Sequence, residues 1–347
     1  MLSFQESILG WYDQNKRDLP WRNATSPYFI WISEVILQQT RVEQGMPFYH
    51  RFVERFPNVN ALATAQENEV LAVWKGLGYY SRARKLHHAA KIIVENSPTF
   101  PDSFNSLIKL PGIGQYTAAA IASIAFNEPV PALDGNAYRI MSRVFNIADN
   151  VASAKAQKQF IRLANEWISQ ARPGDFNQAL MDLGSTVCTP RQPDCSKCPL
   201  NFGCEARALN NFHERPVKTS KKPPQNRFLM FDFLVNNDNL GLKKMEEGNI
   251  WKNLYLFPFR EFASEQLLSE ETARWERLGG ETLPAGIHAL SHQKIHYRTR
   301  IMPVENPEKT GYSKLKWCSH EELEGTAIPA VATKIINQWN NKRPATI

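Results

Sequence analysis

The sequence predicts two domains, a mostly α-helical N-terminal half and a smaller α+β C-terminal half, on three observations. A glycine hairpin runs straight into an Ala-rich helix at residues 110–126 (LPGIGQYTAAAIASIAF), and the segments before and after it carry apolar residues at helical spacing. Four of the five cysteines fall within residues 188–204, a ligand-like cluster closing the helical half. Beyond a Pro- and Lys-rich stretch, strand-length apolar runs take over from the helical period. A chain of 347 residues can bury two cores, and the composition shift sets the expected boundaries: 1–212, a linker over 213–226 (HERPVKTSKKPPQN), and 227–347.

Charge and targeting narrow the class. The chain has 41 Lys and Arg against 34 Asp and Glu, a net +7 that suits a polyanionic partner. Met1-Leu2-Ser3-Phe4-Gln5-Glu6 is already amphipathic rather than a leader, and no apolar run reaches the ~20 residues of a membrane span. A soluble intracellular protein with no membrane contact is expected, and the clustered cysteines fit a reducing compartment.

Residues 3–16 read as the first helix, followed by the turn-rich RDLPWRNATSPY with Arg17, Trp21 and Arg22. Pro27 suits the first turn of the next helix, SPYFIWISEVILQQTRVEQ, whose Phe29, Ile30, Ile32, Val35, Ile36 and Leu37 leave almost no polar face. Glu34 lies in the middle of that run. Apolar surroundings favour its protonated form, which a general acid requires; a core glutamate paired with Arg17 or Arg22 explains it equally well. Gln38 shares the face of Glu34, whereas Gln39 and Thr40 point elsewhere, toward base edges or merely into solvent at a helix end. In ENEVLAVWKGLGYYSRARKLHHAAKIIVEN a Gly76-Leu77-Gly78 break separates two helices. Tyr79 with Arg82, Arg84, Lys85 and Lys91 fits nucleic-acid contact or ordinary helix charge, Tyr80 reads as core, and His87 and His88 as surface or packing residues.

At the central hairpin two helices meet, with Gly112 and Gly114 permitting φ > 0. The free N–H groups of the second helix's first turn, at Gly112, Gly114 and Gln115, can hold a DNA phosphate, the helix-hairpin-helix arrangement; a plain αα turn is the alternative. In VPALDGNAYRIMSRVFNI, Asp134 suits the N-cap of a further helix, which is reason enough for it. Capping hydrogen bonds also keep a carboxylate ionised, so Glu34 and Asp134 together offer the acid and the anion of glycosidic cleavage, their proton affinities pushed apart.

The spacing Cys188-x6-Cys195-x2-Cys198-x5-Cys204 has a single C-x2-C pair, which favours a [4Fe–4S] cluster over zinc, with a disulfide third. Arg191, Lys197 and Arg207 make that loop basic. RFLMFDFLVNN, NLYLFPFREF and HYRTRIMPV read as strands, SEQLLSEETARWERLG and IPAVATKIINQWNN as helices, and Cys318 as a half-buried thiol.

Taken in order, RDLPWR, WISEVILQQTRVE, WKGLGYYSRARKLH, LPGIGQYTAAAI, VPALDGN, FNQALMDLGSTVCTP and the cysteine run closely resemble the adenine DNA glycosylases of the MutY type, relatives of endonuclease III in the helix-hairpin-helix superfamily. The resemblance spans residues 3 to about 207. It implies a helix-hairpin-helix glycosylase fold with an iron–sulfur loop, acting as a monomer on double-stranded DNA containing adenine opposite 8-oxoguanine or guanine. It makes Glu34 the acid that protonates adenine and Asp134 the anion beneath an oxocarbenium-like sugar, with Tyr116 and Asn136 assisting. Trp21, Arg22 and Leu37 would line the adenine pocket, Gln39, Thr40 and Tyr79 would face the opposite 8-oxoguanine, and Cys188, Cys195, Cys198 and Cys204 would hold one [4Fe–4S] cluster. Tyr116 stands where strand-cleaving relatives carry a catalytic lysine, so a monofunctional enzyme is expected.

The C-terminal half resembles the same family's Nudix-like domain that reads 8-oxoguanine. HALSHQKIH is similar to a segment usually written F-S-H, with Leu290 replacing the phenylalanine and Ser291 and His292 retained. The glutamate-rich Nudix metal box is absent from the sequence, so pyrophosphohydrolase activity is not expected. Two other readings stay open: a same-fold glycosylase for another base, and a non-catalytic iron–sulfur protein that binds DNA or senses redox state. In a prokaryote the expected location is the cytoplasm, with the nucleoid.

Overall fold

A computed structural model describes residues 3–23, 26–96, 99–219, 223–246, 248–312 and 314–342; residues 220–222 of the expected linker lie outside the described residues. The chain forms two compact units, residues 1–64 with 85–220, and residues 65–84 with 221–347. The linear boundaries read from the sequence do not contain this grouping. Residues 65–84 have no composition break around them, and only their tertiary packing assigns them to the second unit.

The first unit is helical. Its α1 (Phe4–Asn15) starts at a Ser3–Glu6 capping box, and α2 (Pro27–Leu37) starts at Ser26 with Pro27 in the first turn. The single helix expected to run through Gln44 ends at Leu37: Gln38 caps it and Gln39 turns left-handed at φ 60°. The chain resumes as α3 (Val42–Arg55) and α4 (Val59–Thr64). After α5 (Glu67–Val73) in the second unit, α6 (Tyr80–Asn96) carries the chain back into the first. Then follow α7 (Phe104–Leu107), α8 (Gln115–Phe126), α9 (Gly135–Val144), α10 (Ala154–Trp167), α11 (Pro173–Thr186) and α12 (Glu205–Ala208). The first arm of the hairpin, α7, is a single turn rather than a long helix.

Buried Ile8 and Tyr12 of α1, Ile140 and Val144 of α9, and Phe176, Leu180 and Leu183 of α11 form one core with Leu200 and Cys188. The N-terminus of α9 is thereby packed against α11. Helix α8 approaches α11 so closely that a Cβ at Gly174 would lie 2.7 Å from the Ser123 carbonyl oxygen. Beside it, buried Asn177 accepts from the Ala132 amide (3.0 Å) and donates to Ser123 Oγ (2.8 Å) and the Val130 carbonyl (2.9 Å). It fixes the extended segment that delivers Asp134, which would otherwise bury unpaired backbone groups.

The second unit is a twisted mixed sheet flanked by helices. Among the described residues it has seven strands: β1 (Gln225–Asn236), β2 (Asn239–Lys244), β3 (Tyr255–Leu256), β4 (Phe259–Phe262), β5 (Thr282–Ala289), β6 (Gln293–Pro303) and β7 (Leu315–Cys318). The path β3-β2-β1-β6-β5 has β1 and β6 parallel, while β4 pairs with β1 and β7 with β2. The strand expected over NLYLFPFREF is two, because the chain changes partner at Phe257-Pro258, and proline cannot donate to a ladder. Helices α13 (Glu265–Arg277), α14 (His320–Glu324) and α15 (Ala330–Lys342) complete the unit. Cys318 is fully buried rather than half-buried. No helix among the described residues is long and apolar enough to cross a membrane.

Replacing Asn177 by leucine removes the side-chain partner of the Ala132 amide and of the Val130 carbonyl, while the Ser123 hydroxyl keeps its bond to the Ala120 carbonyl (3.2 Å). Urea denaturation of Asn177→Leu is expected to show a loss on the order of 3 kcal/mol.

Candidate active site

The first unit holds an open cleft of about 2570 Å³, counting its solvent mouth, lined by Trp21, Arg22, Glu34, Leu37, Gln39, Thr40, Gly112, Gly114, Gln115, Tyr116, Asp134 and Asn136. The structure therefore brings together the sequence-predicted residues of this unit other than the cysteines. Of the hairpin glycines only Gly112 uses the left-handed region (φ 82°), where a Cβ would lie 2.8 Å from Lys85 Cβ. Gly114 is not left-handed as expected: it caps α8 at φ −92°. Its missing side chain leaves the α8 N-terminus open, with nothing within 4 Å of where a Cβ would be.

Glu34 is buried on α2, and burial pushes its carboxyl up to about 7. Its hydrogen bond to Tyr116 opposes that shift, the negative field of Asp134 reinforces it, and Arg22 opposes it more weakly. Pairing with Arg17 or Arg22, the alternative left open by the sequence, is not what the structure has. Both arginines grip Asp182 instead: Arg17 Nε donates to Oδ1 at 2.7 Å, and Arg22 donates through Nη1 (2.7 Å) and Nη2 (2.9 Å). Burial pushes the Asp182 carboxyl up, but the two guanidiniums outweigh it and hold the group below its ordinary value. Their charge spent on Asp182, the arginines leave Glu34 able to keep a proton near neutrality.

Asp134 caps α9, its Oδ1 accepting the amides of Asn136 (2.9 Å) and Ala137 (2.8 Å) while Oδ2 accepts Asn136 Nδ2 at 2.6 Å. The cap bonds and Arg139 act as the sequence expectation has it, favouring the ionised form, but burial acts the other way and is the larger effect, so the carboxyl lies above its ordinary value. Arg139, buried on α9, donates to Asn136 Oδ1 (2.7 Å), the Gly184 carbonyl (2.6 Å) and the Cys188 carbonyl (2.7 Å). Gly184 leaves room for this cradle, since a Cβ there would sit 2.4 Å from Asn136 Cβ. Arg139, Asp182 and Gly184 were not singled out in the sequence. For Asp182 a signal existed, an acid between Met181 and Leu183 on the buried stretch of α11, as Glu34 is inside α2; for Arg139 and Gly184 there was none.

Trp21 is buried edge-on to Tyr49 with ring centroids 5.0 Å apart, and Gln38 Nε2 donates to Thr117 Oγ1 at 3.2 Å, pinning the end of α2 to α8. Gln39 is exposed and Thr40 half-exposed on the turn after α2. Tyr116 is half-buried, its hydroxyl 3.7 Å from Met181 Sδ.

The four clustered cysteines are free thiols lining a second, small pocket, with Arg143 and Arg207 beside them. Burial pushes the Cys195, Cys198 and Cys204 thiols up, Cys198 to about 12, and Arg143 Nη1 lies 3.3 Å from Cys188 Sγ. Among the described residues no three His, Cys, Asp or Glu side chains are gathered tightly enough to hold one metal ion. Four soft thiol side chains around one pocket are a donor set of the kind that suits an iron–sulfur cluster.

Tyr79, Ser291 and His292 belong to the second unit. Tyr79 is 44% exposed in a left-handed conformation, φ 49°. Ser291 and His292 are exposed at the tip of the β5–β6 hairpin, closed by the Leu290 amide on the Gln293 carbonyl at 2.8 Å, with Ser291 Oγ and His292 Nδ1 3.2 Å apart.

Residues 32–170 match the HhH-GPD superfamily of base excision DNA repair proteins, and residues 232–338 match the NUDIX domain. The chain is 32% identical to an adenine DNA glycosylase of Buchnera aphidicola over 97% of both chains, and 33% identical to that of Homo sapiens over 99% of this chain and 75% of the human one. The structure of a thermostable thymine-DNA glycosylase is similar at TM-score 0.55 and 27% identity, covering 59% of this chain and 95% of that one. An endonuclease III–DNA complex shares the fold at TM-score 0.51 and 19% identity, over 60% of this chain and 99% of that one.

Because Glu34 binds its proton more tightly folded than unfolded, stability falls as pH rises from its ordinary value toward 7. Glu34→Gln removes that loss. Urea unfolding is expected to show the variant more stable than the native chain by on the order of 3 kcal/mol at alkaline pH, and no gain at acid pH.

Proposed function

The chain belongs to the adenine DNA glycosylases of the MutY type, and from that membership we propose that it excises adenine paired with 8-oxoguanine or guanine, without cutting the strand. The observation that carries this is a buried Glu34 carboxyl, raised to about 7 and bonded to Tyr116, in the same cleft as a capped Asp134. An adenine stacked in duplex DNA is out of reach of both groups, so it enters the cleft by rotating out of the helix, most easily at a mispair.

Glu34 donates its proton to a ring nitrogen and turns the base into a leaving group. The positive charge left on the sugar is met by Asp134, held at the α9 N-terminus by Asn136 and, through Asn136, by Arg139. Tyr116 steadies Glu34, and Trp21, Arg22 and Leu37 enclose the base. With no lysine at the Tyr116 position, the cleft offers no amine there for a Schiff base, and the abasic site is left intact. The hairpin amides around Gly112, Gly114 and Gln115 take the phosphate. Gln39, Thr40, Tyr79, Ser291 and His292 face the opposite 8-oxoguanine.

Cys188, Cys195, Cys198 and Cys204 would hold one [4Fe–4S] cluster, which when bound staples the basic 188–204 loop as a structural crosslink. The enzyme acts as a monomer on chromosomal DNA and, in a prokaryote, works at the nucleoid.

The decisive measurement is single-turnover adenine release from duplexes with adenine opposite 8-oxoguanine. Release with strand nicking only after alkali is expected; no release, or nicking without alkali, overturns the reading. Glu34→Gln is expected to lose about 10²–10⁴-fold in rate, and the native rate to fall as pH rises above about 7. Cys198→Ser is expected to lose the visible absorbance of the cluster, which metal analysis of the purified chain checks directly.

A further inference from the structure

The grouping of residues 65–84 with the C-terminal half carries an inference beyond recognition by the hairpin tip. The loop Lys75-Gly76-Leu77-Gly78-Tyr79 has three residues in the left-handed region, Gly76 (φ 95°), Gly78 (φ 78°) and Tyr79 (φ 49°). For the two glycines this is free of strain; for tyrosine it persists only where surroundings enforce it. Locally, Trp74 Nε1 donates to the Gly78 carbonyl (2.9 Å), the Arg82 amide donates to the Tyr79 carbonyl (2.8 Å), and the Arg82 guanidinium lies over both rings, 5.5 Å from the Trp74 centroid and 5.2 Å from that of Tyr79.

The remaining anchors come from the C-terminal half. Lys75 Nζ donates to the Leu323 carbonyl (2.9 Å), in the last turn of α14, and the buried Tyr80 hydroxyl donates to the Ile328 carbonyl (2.9 Å), between α14 and α15. On the Lys252-Asn253 turn, the Lys252 carbonyl accepts Arg84 Nη1 (2.8 Å), and Asn253 Nδ2 donates to Glu67 Oε1 (2.6 Å). These bonds bracket Tyr79 on both sides.

We infer that the C-terminal domain sets 8-oxoguanine discrimination a second way, by clamping the 75–80 loop through the Leu323 and Ile328 carbonyls so that Tyr79 is held outward, with Lys75 and Tyr80 as positioning residues. The inference rests on the proposed contact of Tyr79 with the opposite base. It makes the domain a scaffold for a reading residue that lies far from it in sequence. Tyr79 then reaches the DNA already in its bound conformation, and the ordering cost is met during folding rather than at the mispair.

The test uses the full chain with its metal centre. Tyr80→Phe keeps the buried ring and deletes the bond to Ile328; Lys75→Met deletes the bond to Leu323. Two readouts are taken: the ratio of single-turnover adenine release opposite 8-oxoguanine to that opposite guanine, and amide hydrogen exchange over residues 76–79. Each variant is expected to lower the ratio about three- to tenfold and to speed exchange in the loop. Combined with Tyr79→Ala, Tyr80→Phe is expected to add nothing further; combined with His292→Ala, its effect is expected to multiply. Unchanged exchange and ratio in both variants, or multiplication with Tyr79→Ala, overturns the inference. If Tyr79→Ala leaves the ratio unchanged, the assignment of Tyr79 to the opposite base is what fails, and exchange alone then decides whether the clamp exists.

Discussion

The geometry of the cleft depends on one buried cation. Arg139 has no carboxylate bound to it directly; its guanidinium is satisfied by Asn136 Oδ1 and by the carbonyls of Gly135, Gly184 and Cys188. Burying a guanidinium costs several kcal/mol unless its donors are taken up, so those acceptors are forced to converge on it. The start of α9, the end of α11 and the first cysteine of the 188–204 loop are thus fixed to one another, and the cap that carries Asp134 inherits that rigidity. Arg143, one turn further on, does the same for the loop beyond, bonding the carbonyls of Thr189, Pro190 and Phe212. Two arginines of one helix hold the cysteine loop against the cleft by backbone oxygens, whatever side chains the loop presents.

Against that rigid side, the Glu34 side is built by subtraction. The α2 helix is apolar enough to be buried nearly all round, and a carboxyl placed there has few routes to stabilise its charge. The nearby arginines, which would supply one, are turned onto Asp182. Charge separation within the cleft is therefore arranged by giving the cations a better partner. Both cleft carboxyls are raised by burial, and what distinguishes them is hydrogen bonding: Asp134 accepts three donors from the α9 cap, and Glu34 has the phenol of Tyr116.

The second unit shows how a sheet domain takes in a segment distant from it in sequence. Its sheet is ordered around β1, whose buried Asp232 is bonded by Arg300 and Tyr312, and whose edges are taken by strands that return from both ends of the domain. From that platform, the carbonyls of Leu323 at the end of α14 and Ile328 just before α15, together with a short turn, hold a segment drawn from the N-terminal half of the sequence. Backbone acceptors suit this task because they place no demand on the identity of the residues that supply them.

Much of this was legible in the sequence because it depends on local rules. A Pro-Gly-x-Gly turn before an Ala-rich run makes a hairpin by backbone conformation alone, Asp134 before Gly135 and Asn136 makes an N-cap by hydrogen-bond geometry, and Glu34 amid Ile and Val announces its burial by contrast. The cysteine spacing and the helix starts at Ser3 and Pro27 are equally local. What the tertiary structure decided is non-local: that Arg17 and Arg22 choose Asp182, about 160 residues away, over Glu34; that Arg139 links the cap to Cys188; that α2 stops at Leu37 because Gln38 binds Thr117; and that residues 65–84 join the C-terminal sheet domain. A charged or polar side chain carries no mark in sequence of which distant partner will satisfy it. That choice is made by which helices pack together, and only the folded chain fixes it.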